Sequence, residues 1–599
     1  MIGQKCPIDR RGVLRGAVRV GGSAALAAWL PAWAQPSSSG LVRTLPAISG
    51  DDIHLRIAHQ TMTISGRQSH AIGINGTVPG PLIRLREGQT VRLHVENALD
   101  EDSSIHWHGL ILPFHMDGVP GVSFPGIKPR STFVYEFPIG QYGTYWYHSH
   151  SGLQEQLGLY GPIVIDPKGE DPIRSDREHV IVLSDHSQAH PHTLFKKLKQ
   201  QGGYFNYQKQ TLAGLLAGRD QTERDRLAWA KMRMEPTDIS DVTGVAYTYL
   251  VNGHGPEDNW TALFRPGERV RLRIINASAM TTFNFRIPGL TLTVVQADGL
   301  AVRPVSVDEL QIAVAETYDL VVEPTEGTAY TIIGETVDRS GLARATLAPR
   351  AGMIAPVPPL RARPLADMKD MGIGSMEPTA KAPASSCSPE HAAMGHCAPA
   401  REGAAHDHGS GKMAHAMRDM RVAPEVKDTP TVQTISPMPV DRTGEPGQGL
   451  ENVGHRVLVY QDLIAVERNP DLRAPGRSLR IHLTGNMERY MWAFDGVKLN
   501  EVTAPIAFRK NERVRVTLVN DTMMGHPIHL HGHFFELVAG HGEFAARKHT
   551  VQVQPGGTVT FDLTADAVGD WAFHCHLLYH MHAGMMQIVT VRPDEGEPA

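Results

Sequence analysis

The sequence predicts an all-β protein built from three copies of one β-domain, and three observations predict it. One strand motif recurs: Val91-Arg-Leu-His-Val-Glu-Asn97, Val270-Arg-Leu-Arg-Ile-Ile-Asn276 and Val514-Arg-Val-Thr-Leu-Val-Asn520 alternate apolar with polar residues, as a half-buried strand requires, and each ends at Asn. The 58 Gly and 42 Pro, beside only 16 Phe and 14 Tyr, favour short strands joined by turns over long helices. Finally, 599 residues, 41% hydrophobic and 20% charged, suffice for several separate cores and exclude a collagenous, coiled-coil or wholly disordered chain.

The elements follow in order. Residues 1–34 read as an export signal: Asp9-Arg10-Arg11-Gly12-Val13-Leu14 resembles a twin-arginine address, and an apolar run from Gly21 to Trp33 closes on the small-x-small site Ala32-Trp33-Ala34. The competing reading, a signal anchor, suffers from a run too short and Gly/Ala-rich for ~30 Å of hydrocarbon. Periplasmic export as a soluble chain, most simply a monomer, is therefore expected, with Cys6 removed alongside the signal. The first β-domain is placed at 45–168 and the second at 169–349. An insertion at about 190–234 reads as short helices, from Leu212, Leu215 and Leu216 and the charges between Arg219 and Arg226.

The interval between the second and third motifs exceeds the first by 65 residues, and the excess lies in 350–430, ahead of the third domain at 431–594. There Pro, Ala, Gly, Met and His replace the β pattern, a composition expected to remain a disordered linker. It carries Met368, Met371, Met376, Met394, Met413, Met417 and Met420, His391, His396, His406, His408 and His415, and Cys387 and Cys397. Thioether, imidazole and thiolate suit copper, so the linker is a candidate for collecting further copper, against the alternative of an inert tether.

A net charge of −5 gives no reason to expect a nucleic-acid partner, and four Cys among 31 His make histidine the informative residue. Four histidine clusters stand out: His106-Trp107-His108, His148-Ser149-His150, His526-Pro-Ile-His529-Leu-His531-Gly-His533, and His574-Cys575-His576 followed by His580 and Met585. Along a strand, residues two apart share a face, so the pairs 106/108, 148/150, 529/531 and 574/576 each aim two imidazoles one way. Eight imidazoles match three copper ions, two with three histidines each and one with two. The same alternation throws Cys575 to the opposite face. With His526, His580 and a weak axial Met585 it makes the ligand set of a blue-copper electron-transfer centre. One His-x-His pair alone is weak evidence, being common on β surfaces, but a structural zinc site needs only four ligands and does not explain twelve arranged as eight plus four.

These clusters resemble the signature of the multicopper oxidases. The three-repeat layout is similar to their three-cupredoxin-domain members, which implies three Greek-key β-sandwiches. Met487-Glu-Arg-Tyr-Met-Trp492, Tyr145-Trp-Tyr-His-Ser-His150 and the His/Met-rich linker look most like the periplasmic copper-resistance protein A group. His533 and His541, where methionine is expected in that group, look instead like a laccase-like branch. The resemblance implies four coppers: type 1 on His526, Cys575, His580 and Met585; type 2 on His106 and His529; one type 3 ion on His108, His148 and His576, the other on His150, His531 and His574. The second repeat reads Thr281-Thr-Phe-Asn-Phe285 where the others carry ligands, and is expected to serve as a spacer.

What the resemblance implies chemically is one-electron oxidation of Cu(I) or small phenols at type 1 copper, through Cys575, coupled to four-electron reduction of O2 to water. Asp117, in Met116-Asp117-Gly118, aligns with a family carboxylate that assists proton delivery, and reads equally as a turn-forming Asp-Gly. Met581-His582 stand where some relatives carry an acid beyond the second type 1 histidine. Trp492 and an open cleft at type 1 copper would admit phenols, whereas the Met/His-rich segment speaks for Cu(I) in copper resistance. A copper-sequestering protein whose linker is the working part is the alternative. Copper nitrite reductase needs only a lone type 2 ion and does not account for eight converging histidines.

Overall fold

A computed structural model describes residues 40–373 and 418–593. The expected signal at 1–34 with Cys6, and the segment holding Cys387, Cys397 and all five linker histidines, lie outside the described residues.

Six sheets pack in three pairs, and the recurrent strand occupies the same place in each. Thr90–Asn97 lies between a parallel partner, Asp52–Ile64, and an antiparallel one, Thr132–Pro138. Val270–Asn276 lies likewise between Arg177–His186 and Thr317–Val322, and Glu512–Asn520 between Arg477–Asn486 and Gly557–Ala565. The terminal Asn explains its own recurrence. Asn97, Asn276 and Asn520 each accept from the backbone N–H two residues on, while their amide nitrogens donate to a carbonyl four or five residues on and to one 30 to 36 residues away. This Asx-type clamp ties the strand end to the opposite sheet.

The second member of each pair carries the chemistry in the first and third domains. In the first domain it has the strand order Ala47–Ser49, Leu82–Arg86, Tyr160–Asp166, Gly143–His148, His106–His108. In the third the order is Ile506–Arg509, Met586–Arg592, Gly569–Cys575, His526–Leu530, Thr550–Val553. The ligand-bearing strands are thus neighbours within their sheets, and the two sheets meet across the domain boundary.

The insertion holds helices Pro191–Gln200, Leu212–Leu216 and Glu223–Met232, the last two capped by Thr211 and Thr222 side chains. The described residues on either side of 374–417 pack on the body of the protein. Ala366 and Met371 are buried with Trp229 and Met523, and Val426 packs with Ala423, Val432 and Ile435. These flanks pack because they hold enough apolar side chains to fill slots on the body.

Candidate metal centre

Strand register builds the larger group. His106 pairs with His148 across the first domain's sheet, and His529 with His574 across the third's. Within the four His-x-His pairs the ring centroids lie 4.7 to 5.9 Å apart. Between domains, His108 stacks on His529 and His106 lies against His531, both at 3.9 Å.

Three sets of ligand atoms converge: His106, His108 and His529; His108, His148 and His576; and His150, His531 and His574. In the last set the Nε2 atoms of His531 and His150 stand 3.0 and 3.4 Å from that of His574. Elsewhere the inward nitrogens are bare. His106, His148, His529 and His576 each keep a buried Nε2, and His108 a buried Nδ1, without a hydrogen-bond partner. Orphaned imidazole nitrogens are costly to bury unless something binds them, and neutral imidazole nitrogens suit copper. Burial, reinforced by the neighbouring rings, holds His108, His148, His150, His529, His531 and His576 well below the usual imidazole range, and His574 at about 4. Neutral rings are the state that ligation needs.

The outward nitrogens are held by the protein, which fixes ring orientation. Asp117 spans the domains: its carbonyl meets His106 Nδ1 at 2.7 Å and its Oδ2 meets His531 Nδ1 at 2.9 Å. The turn that carries it requires Gly118, at φ +84°, where a Cβ would lie 1.8 Å from the Ile105 carbonyl. Glu155 Oε2 lies 2.9 Å from His148 Nδ1, and burial, then Asp185, pushes its carboxyl well above the usual range. The His549 carbonyl meets His529 Nδ1 at 2.7 Å, and Thr550 Oγ1 lies 3.2 Å from both His529 Nδ1 and His108 Nε2.

The smaller group joins His526, Cys575 and His580. Cys575 Sγ is 3.6 Å from His526 Nδ1 and 3.9 Å from His580 Nδ1, and all three residues are fully buried. Met585 is buried beside them, its carbonyl accepting from the Cys575 N–H. The far nitrogens are fixed, His526 Nε2 by Thr522 Oγ1 at 2.8 Å and His580 Nε2 by Asp241 Oδ2 at 2.7 Å. Trp492 lies flat on the His580 ring at 3.8 Å, and Tyr490 donates to Asp241. All four residues of this group are fully buried, so none of them opens directly to solvent. Beside Asp241, Met524 and Leu577 runs a gap of about 30 Å³, enough for one water. His533 and His541 join neither group, hydrogen-bonding instead to the carbonyls of His531 and Gln461.

The second domain is more than a spacer. Its Asp241 reaches His580, and its Asp298 Oδ2 accepts from the backbone N–H groups of His549 and Thr550 at 3.2 and 3.1 Å. Lys548, fully buried, places Nζ 3.1 Å from both Asp298 and Glu316. Sequence reading missed Asp241, Glu155, Asp298, Lys548 and Thr550 because no local spacing marks them. For the four ionisable ones buried charge is the signal, and it appears only after folding.

The multicopper oxidase family profile matches residues 56–170, 177–349 and 473–595, and the chain belongs to that family. It is an oxidoreductase with copper as cofactor. Within the family it is 47% identical to a copper resistance protein A homolog of Pseudomonas syringae pv. tomato over 94% of this chain and 95% of that protein. It is 47% identical to copper resistance protein A of Escherichia coli over 97% and 99%. The crystal structure of a laccase from Botrytis aclada superposes with a TM-score of 0.58 at 20% identity, covering 92% of this chain and 88% of that one, and shares the fold. The all-β cupredoxin architecture expected from the sequence is the one observed.

Proposed function

We propose that the chain is a four-copper oxidase acting in copper resistance, with Cu(I) as reductant and O2 as oxidant. One observation carries the reading. Cys575 belongs to one ligand group, while its bonded neighbours His574 and His576 belong to two separate sets of the other. Bound copper supplies one-electron transfer at His526, Cys575, His580 and Met585, and four-electron dioxygen reduction at the eight histidines, with His106 and His529 as the type 2 pair. The backbone from Cys575 to its neighbours then joins electron entry to oxygen chemistry through covalent bonds. Asp117, touching a histidine from each domain, fixes both rings and is placed to pass protons into the site.

Access favours Cu(I) over phenols. His526 and His580 are fully buried, and the Nε2 edge of His580 is held by Asp241 and one face of its ring by Trp492, so an aromatic reductant meets no exposed imidazole. Nearby, Met232, Met234, Met368, Met371, Met487 and Met523 gather around Trp229, and Met234, Met487 and Met523 line a cavity of about 450 Å³ with Asp238. Thioethers select Cu(I). Met523 adjoins Thr522, which holds His526, and Asp238 lies three residues from Asp241, which holds His580. The relatives named for copper resistance support the same role, and a periplasmic location with a twin-arginine signal fits it.

The test is metal analysis and visible absorption on the purified protein, followed by parallel oxygen uptake with Cu(I) and with a phenol. Four coppers, a blue chromophore and faster uptake with Cu(I) are expected. Uptake with the phenol alone would refute the substrate assignment.

A further inference from the structure

A second imidazole group lies on the outer face of the first domain's four-stranded sheet, on none of the ligand-bearing strands. Parallel pairing of Asp52–Ile64 with Thr90–Asn97 sets His54 opposite His94, and strand alternation turns Asp52 to the same face as His54. The two rings stack at 4.5 Å, 12° from parallel. Both Nε2 atoms approach a single oxygen, Asp52 Oδ1, at 3.4 Å from His54 and 3.1 Å from His94.

The rows on either side are ordinary cross-strand ion pairs, Arg92 with Glu136 and Arg56 with Glu96. The histidine row has no such complement. With Asp52, which stands opposite Arg92 in the adjoining row, it brings three donor atoms within 4.8 Å of one another. A solvated pair would send its nitrogens outward to water, but His94 Nε2 is buried and has no hydrogen-bond partner, although the Asp52 oxygen is near. That arrangement suits a shared cation better than a direct N–H to oxygen bond.

We propose that Asp52, His54 and His94 form a surface site for one divalent first-row cation, Cu(II) above the others. Two imidazoles and a carboxylate suit Ni(II), Cu(II) and Zn(II), and the Irving–Williams order puts Cu(II) first. Water completes the shell, because the His54 side chain is 77% exposed. Arg92 Nη1 stands 3.9 Å from Asp52 Oδ2 and opposes the charge, but its Nε is committed to Glu136 at 3.0 Å. The site stands independently of the oxidase reading. Under that reading it takes the oxidised ion, as the thioether cluster takes the reduced one.

The test is equilibrium dialysis of the copper-loaded full-length protein against micromolar Cu(II), with metal analysis and electron paramagnetic resonance. Wild type is compared with His54→Asn/His94→Asn and with Asp52→Asn. Segment 374–417 is present in all three chains and cancels in the difference. The double variant is expected to bind about one Cu(II) fewer per chain and to lose a nitrogen-coupled signal, while oxygen uptake and melting temperature stay at wild-type values. Asp52→Asn is expected to weaken the same site. Equal copper counts and identical spectra in wild type and the folded double variant would overturn the proposal.

Discussion

Replacing Asp298 by Ala tests whether the second domain positions the oxygen-reducing site. The carboxylate is fully buried. Its removal takes one of two counter-charges from Lys548 and leaves the N–H groups of Thr317, His549 and Thr550 without their acceptor. Breaking a buried ion pair costs about 3–5 kcal/mol, and each orphaned buried donor about 1–3 kcal/mol. These terms share one side chain and do not add, so a loss of about 4 kcal/mol is expected, with the shielding Tyr318 and Tyr460 rings left in place over Lys548. The backbone of His549 and Thr550 is then free to shift, and with it His529. Thermal unfolding of the apoprotein measures the first effect. Copper stoichiometry and the type 2 resonance of the loaded protein measure the second, and both are expected to fall while the blue absorption persists. Asp298→Asn/Glu316→Gln/Lys548→Met, which removes all three charges of the group and keeps their shape, is expected to recover most of the stability. An Asp298→Ala protein within about 0.5 kcal/mol of wild type, carrying its full copper, would refute the reasoning.

Four further outcomes are expected. Cys575→Ser should fold and keep copper on the eight histidines but lose the blue absorption and oxygen uptake with every reductant, read by absorption and an oxygen electrode. Met234→Leu/Met487→Leu/Met523→Leu should raise KM for Cu(I) about tenfold, the equivalent of ~1.4 kcal/mol, and leave phenol turnover unchanged. His186, buried at the junction of the first two domains against Ser69, has its pKa lowered by burial to about 4. Because its folded value lies below the usual 6.5, the unfolded chain takes the proton first. Its stability contribution is complete above about pH 6.5 and falls by about 3 kcal/mol toward pH 4, so His186→Gln should flatten that part of a denaturation series. Deleting 374–417 should leave about four coppers and normal Cu(I) oxidation by metal analysis and oxygen uptake; loss of most bound copper would favour sequestration.

The sequence by itself determined the repeats, the all-β class and the candidate ligands, because these depend on interactions of short range along the chain. Alternation on a strand sends residues two apart to one side, so His574 and His576 had to part from Cys575 wherever the third domain packed. The recurrent Asn was visible as a pattern, although its clamp was not. Only the tertiary structure decided what surrounds the ligands. Asp241, Glu155 and Asp298 carry no metal-binding signature of their own, and they matter because burial removes water and leaves each carboxyl to find a partner: 339 residues away for Asp241 with His580 and 251 for Asp298 with His549, although only seven for Glu155 with His148. The same holds for the covered His580 edge and the six gathered methionines. Which side chains touch across a domain boundary follows from how whole sheets pack, and no local spacing encodes that.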